Sequence, residues 1–137
     1  MADFTITASN VVPGGTARQS LVAGEAISAG EVLYKKSSDS KAYKAQCDGT
    51  TEEATVIGIA INSAAAGQPV SYVESGGSVT VGSALGSAGK ALYLSATAGK
   101  LMPAADIAST NKLTIVGYST SATALTVQII NSGTALP

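Results

Sequence analysis

Ala29-Gly30-Glu31-Val32-Leu33-Tyr34 returns 59 residues later as Ala88-Gly89-Lys90-Ala91-Leu92-Tyr93. The same offset carries Lys41 onto Lys100, Ala45 onto Ala104, Thr51 onto Thr110, and Thr55-Val56-Ile57-Gly58 onto Thr114-Ile115-Val116-Gly117. Two Ala/Gly/Ser-rich segments can match by composition, but constant spacing through Tyr, Lys and Gly reads as an internal duplication. Each half then supplies a strand after an Ala-Gly turn, a hairpin through the Lys and a Gly-containing strand. The repeat halves run over about 29–73 and 88–130 and are expected to share one core. Alternation within the strands puts Leu33, Ile57, Leu92 and Val116 on the inward face.

Outward from the repeat, the chain is a series of short strand-like runs between Gly, Ser, Asn and Asp clusters. They are Phe4–Thr7, Val32–Lys35, Thr55–Ile61, Val70–Val73, Ser78–Val81, Ala91–Leu94, Lys112–Tyr118 and Ala124–Ile130. Strands this short and frequent predict an all-β fold, a small barrel or a sandwich. Only Pro103–Ser109 reads as briefly helical, and Gly82–Lys90 reads as the linker between the halves. Residues 1–20 have no counterpart in the repeat, and Val11-Val12-Pro13-Gly14-Gly15-Thr16 cannot continue a helix. The organisation expected is an extended N-terminal arm over 1–20 and a single β domain over 21–137.

Composition narrows the function. A chain of 137 residues holds one ordinary domain. Charged residues are 12%, about half the usual share, and the formal net charge is −1, so there is no basic field for nucleic acid or an anionic membrane. Apolar residues reach 45% with aromatics at only 4%, which predicts a folded chain whose core is built from small side chains. The N-terminus lacks the basic and apolar regions of a signal peptide. Cys47 is the single cysteine, so no disulfide framework exists within the chain.

Chemistry is sought with little return. The chain has no histidine, which removes Ser-His-Asp and Cys-His catalysis and His-based zinc sites. It also removes the side chain that titrates between pH 5 and 8, so binding should change little across that range. Ser-x-x-Lys occurs at Ser38/Lys41, Ser87/Lys90 and Ser109/Lys112, in polar, turn-like sequence that would leave each lysine solvated. Gly82–Lys90 misplaces the first glycine of a phosphate loop and puts Ala91 where a metal-binding hydroxyl is needed. Asp39, Asp48, Glu52 and Glu53 lack the alternating ligand pattern of a cation loop. The reading is not an enzyme, with no cofactor and no metal. Tyr34, Tyr43, Tyr72, Tyr93 and Tyr118 would suit a sugar platform only if exposed. Phe4, the sole phenylalanine, alternates with Ile6 in the arm, and with Val11 and Val12 forms the candidate partner-binding set.

The order Ala23-Gly24-Glu25-Ala26-Ile27-Ser28-Ala29-Gly30-Glu31-Val32-Leu33-Tyr34, then Val56-Ile57-Gly58-Ile59-Ala60, Ala66-Gly67-Gln68-Pro69-Val70 and Gly76-Gly77-Ser78-Val79-Thr80-Val81 resembles the small capsid decoration, or cement, proteins of tailed bacteriophages. The resemblance runs from about residue 20 to the C-terminus. It implies a β-rich body of barrel or tulip type, made in the host cytoplasm and displayed on the capsid exterior of the virion. There it would bind the major capsid protein and itself, as a trimer with a dimer as the alternative, and stabilise the capsid. A tail or baseplate β-domain and a carbohydrate-binding β-module are the alternatives. Neither nucleic acid nor membrane is an expected partner.

Overall fold

The computed structural model describes residues 3, 4, 6–13, 18–82, 85–103, 107 and 111–135. These form two antiparallel sheets, and the one helical element among them is the 3-10 turn Ala8–Asn10. The strands are β1 (Val11–Pro13), β2 (Arg18–Val22), β3 (Val32–Lys35), β4 (Ala42–Lys44), β5 (Val56–Ala60), β6 (Pro69–Val73), β7 (Ser78–Val81), β8 (Ala91–Leu94), β9 (Leu101–Met102), β10 (Lys112–Ser119) and β11 (Ala124–Ala135). The first sheet has the order β2-β6-β5-β3-β4 and the second β1-β7-β11-β10-β8-β9. The first curls into a half-barrel, because Ala23 at the end of β2 bridges Ala42 at the start of β4.

The 59-residue offset carries one pairing scheme onto the other. Leu33 stands opposite Gly58 and Tyr34 opposite Val56; Leu92 stands opposite Gly117 and Tyr93 opposite Ile115, with a register shift at the same step. The Gly30 N–H bonds the Ala60 carbonyl at 2.7 Å, and the Gly89 N–H bonds that of Ser119 at 2.7 Å. Both glycines lie in the left-handed region, at φ +92° and +82°, which is why each Ala-Gly turn needs its glycine. A Cβ on Gly58 would lie 2.3 Å from the Val73 carbonyl oxygen, and one on Gly117 would lie 2.1 Å from that of Thr126. Past the next turn the offset drops from 59 to 53: Ala60 faces Tyr72, and Ser119 faces Leu125.

The sheets do not present equivalent faces to a common core. The main cluster takes Val32, Tyr34, Val56, Ile59 and Val73 from the first sheet, and Val79, Val81, Leu92, Leu94, Val116, Leu125 and Val127 from the second. Leu33, the counterpart of Leu92, turns instead into a smaller cluster with Ala42, Ala60, Val70 and Tyr72. That cluster is closed by Ile27 and Ala64, whose backbones exchange two 2.8 Å hydrogen bonds. The halves therefore stack face to back. The first sheet is covered on one side by its own loops and on the other by the second sheet. The second sheet keeps its far side outward.

This arrangement corrects the expectation of four inward residues in one core. Leu33, Leu92 and Val116 are fully buried, in two different clusters, whereas Ile57 is half-buried at the edge of the smaller one. The described part of Phe4–Thr7 forms no strand; the N-terminal strand is Val11–Pro13, and Arg18–Val22 already belongs to the first sheet. The described residues of the expected N-terminal arm are tied to the body. Backbone donors of the segment find acceptors on the body, and β1 completes the second sheet by pairing with β7. Of the short helix expected over Pro103–Ser109, residues 104–106, 108 and 109 lie outside the described residues, as do 83–84 of the linker and 1, 2, 5 and 14–17 of the arm.

Candidate functional site

Four side chains carry the partner-binding expectation, and the structure splits them. Phe4, Ile6 and Val11 are half-buried against the main core of their own chain. The Phe4 N–H donates to the Leu101 carbonyl at 2.9 Å, covering the edge of β9. The Asp3 carboxylate accepts from the Ser95 hydroxyl at 2.5 Å, and the Lys90 ammonium lies 5.8 Å from the centre of the Phe4 ring. Ile6 and Val11 rest on Gly30, where a Cβ would come within 2.6 Å of the Ile6 Cγ2 and 3.1 Å of the Val11 Cγ2. A cleft of about 180 Å³ runs between Phe4, Ile6, Glu31, Gly99 and Lys100. Val12 alone faces solvent, 55% exposed on the edge strand β1.

Val12 belongs to a larger surface. Residues opposite one another in an antiparallel sheet share a face. The register aligns Val12, Thr80 and Ala124 in one row, and Ser78, Thr126, Tyr118 and Ala91 in the next. A third row holds Ile130, Ile115 and Tyr93, and its end, Met102, turns into the main core. Tyr118 is 46% exposed and Ile130 55%, so three of the four large apolar side chains that face solvent among the described residues lie in these rows. None of the rows contains a charged residue. The matching face of the first sheet, around Val32, Tyr34, Val56 and Ile59, is the one the second sheet covers. Sequence reasoning missed this surface because an exposed apolar row on a strand reads like a core row until the stacking is known.

The remaining candidates are occupied locally. Tyr34 and Tyr72 are buried, and burial raises both phenol pKa values. Tyr43 donates to the Asp39 carboxylate at 2.6 Å, which holds Asp39 below and Tyr43 above their ordinary values. Of the five tyrosines, Tyr43 and Tyr93 are half-buried and Tyr118 is exposed. Glu53 accepts from the Thr50 N–H at 2.8 Å while the Thr50 hydroxyl accepts from the Glu53 N–H at 3.2 Å, a capping box that uses this carboxylate structurally. Lys112 donates to the Gly49 carbonyl at 3.4 Å. Cys47 is fully buried, and burial pushes its thiol up to about 11, away from thiolate chemistry. Among the described residues no group of three or more Asp, Glu or Cys side chains could hold a metal ion, and no helix is long and apolar enough to cross a membrane. Comparison with protein-family models and with characterised proteins finds no match.

Proposed function

We propose that this chain is a structural virion protein: a capsid decoration protein of a tailed phage, bound to the outside of the head, where it stabilises contacts between major capsid protein subunits. The observation that carries the reading is the uncharged outer face of the second sheet, with Val12, Tyr118 and Ile130 turned to solvent. An apolar sheet face on a chain this poor in charge suits permanent docking on a protein lattice. The order of the Ala-Gly turns and Val-Ile-Gly strands, which resembles the decoration proteins, supports the same reading. So does a body whose N-terminal segment, polar loops and tyrosines are largely held by contacts within the chain. We read the repeated registers as the product of tandem duplication, and the curled first sheet as the barrel-like part of a tulip-type body. Self-association belongs to the proposal, as a trimer with a dimer as the alternative.

The experiment is co-sedimentation with heads that lack the protein, comparing the wild-type chain with Tyr118→Lys and Ile130→Lys. Burying one such side chain stabilises by roughly 1.5–3 kcal/mol, so each variant should need about tenfold to a hundredfold more protein to saturate the heads. Saturation of both variants at the wild-type concentration would refute docking through this face.

A further inference from the structure

The 59-residue offset carries Val32, Tyr34, Val56 and Ile59 onto Ala91, Tyr93, Ile115 and Tyr118. In the first half this set lies under the second sheet, and Val32 and Ile59 have no exposed surface. In the second half Ala91 is exposed, Tyr118 is 46% exposed and Ile115 is half-buried. The same strand positions thus carry apolar side chains in both halves, and only in the first does a sheet lie on them. The uncovered set shares its face with Val12 and Ile130, each 55% exposed.

Size and charge say what can close this face. Strands β1, β7, β11, β10 and β8 contribute to it, in that order. At about 4.8 Å between strands and about 7 Å between successive side chains on one side of a strand, three rows across these strands cover roughly 24 by 20 Å. Closing the face on another of its kind buries about 1,000 Å² in total, the lower bound for a specific contact. The rows hold no charged residue, so a copy turned over onto the face opposes no like charges. The back of the first sheet is no competing surface, because Ile27 and Ala64 lie over it.

We propose that, off the capsid, the outer face of the second sheet is closed by the same face of a second copy, sheet on sheet, about a two-fold axis beside Tyr118 in the middle row. A second copy is the occupant because it supplies what the first half already accepts at these positions, a twisted sheet with an apolar face packed at about 10 Å. The contact is isologous, so it uses the face up and association stops at two. Its area, at the low end for specific contacts, makes it weak, and a lattice that offers many docking sites can open it. The dimer is then a closed form of the docking face. That last step rests on the capsid reading, whereas the dimer itself does not.

The test uses the purified full chain in light scattering from about 10 μM to about 1 mM, the range in which a contact this small should form. The mass should climb from that of the monomer toward twice that value. Tyr118→Lys should keep the circular dichroism and melting temperature of the wild type, because the side chain meets solvent in the single chain, and should stay at monomer mass throughout. Thr126 is paired with Tyr118, and Thr126→Cys should be linked into dimers by a bis-maleimide about 15 Å long, since facing sheets lie about 10 Å apart and the native Cys47 is buried. A wild-type chain that stays monomeric, a Tyr118→Lys variant that associates like the wild type, or a Thr126→Cys variant that does not cross-link would each overturn the dimer. A linker with a cleavable disulfide separates the two readings. Linked Thr126→Cys dimers should lose co-sedimentation with heads that lack the protein and regain it on reduction. Linked dimers that bind as well as the reduced chain would refute head docking through this face and leave the dimer standing, while a monomeric wild type whose head binding still falls with Tyr118→Lys would overturn the dimer and leave the capsid reading standing.

Discussion

Replacing Gly117 with alanine tests the pairing of β10 with β11 at its tightest point. The added methyl carbon would sit 2.1 Å from the Thr126 carbonyl oxygen, and Cβ atoms do not come within 3.0 Å of backbone, so β11 must retreat by about 0.9 Å. Gly58 makes the same demand, with 2.3 Å to the Val73 carbonyl and a retreat of about 0.7 Å. Neither obstacle is a flexible side-chain end. Overpacking of this kind costs about 1–3 kcal/mol, and loosening one ladder hydrogen bond adds about 1 kcal/mol. Gly117→Ala should therefore lose about 3 kcal/mol and Gly58→Ala slightly less, a fall in melting temperature of about 10 °C for a chain of this size. Urea titration followed by circular dichroism measures both, with an unchanged slope indicating that the folded state is otherwise intact. A loss under about 1 kcal/mol at Gly117 refutes the close approach. A large loss at one glycine with none at the other refutes the equivalence of the two halves.

Cys47 should resist alkylation in the native protein and react on unfolding. Its folded pKa of about 11 lies above the unfolded value, so stability holds below about pH 8.5 and then falls toward pH 11, by at most about 1.4 kcal/mol per pH unit; Cys47→Ala should lose this component, as urea titrations at stepped pH will measure. Removing residues 1–13 takes away the contacts of Phe4 and Ile6 and bares Thr80 on β7. The truncated chain should lose about 3–5 kcal/mol and aggregate through the uncovered edge, so an unchanged urea midpoint and a clear solution would show that the segment is dispensable to the fold.

The strand content was legible in the sequence because turn residues and short β-branched runs are local signals. Val32–Lys35, Ser78–Val81 and Ala91–Leu94 lie where the sequence puts them. The 59-residue repeat was legible for the same reason, since Gly30, Gly58 and their counterparts answer to backbone needs within a few residues. What the sequence withheld is the way the sheets stack. Leu33 and Leu92 are the same residue at the same strand position, and it is the cover of Ile27 paired with Ala64, from the turn-rich connection after β5, that draws one into a second cluster. The N-terminal segment misled for a related reason. Phe4 and Ile6 read as unattached because their partners, Leu101 and Gly30, are distant in sequence. The outer face was invisible because its strands carry apolar residues on both sides.

The drop in offset from 59 to 53 marks a place where length is negotiable. Eleven residues separate Ala60 from its partner Tyr72, while five separate Ser119 from Leu125, yet both hairpins keep the same strand registers. The longer version uses its extra six residues to bring Ala64 over the smaller cluster, a cover the second half receives from the first sheet instead. The short connection Thr120–Thr123 is therefore free of that duty, and Ala122 and Thr123 at its tip are exposed. Each doubling of loop length adds only about 0.6 kcal/mol of closure entropy. The tip between Ala122 and Thr123 is a natural graft point for a foreign peptide, since the other hairpin keeps the same strand registers with six more residues in its connection.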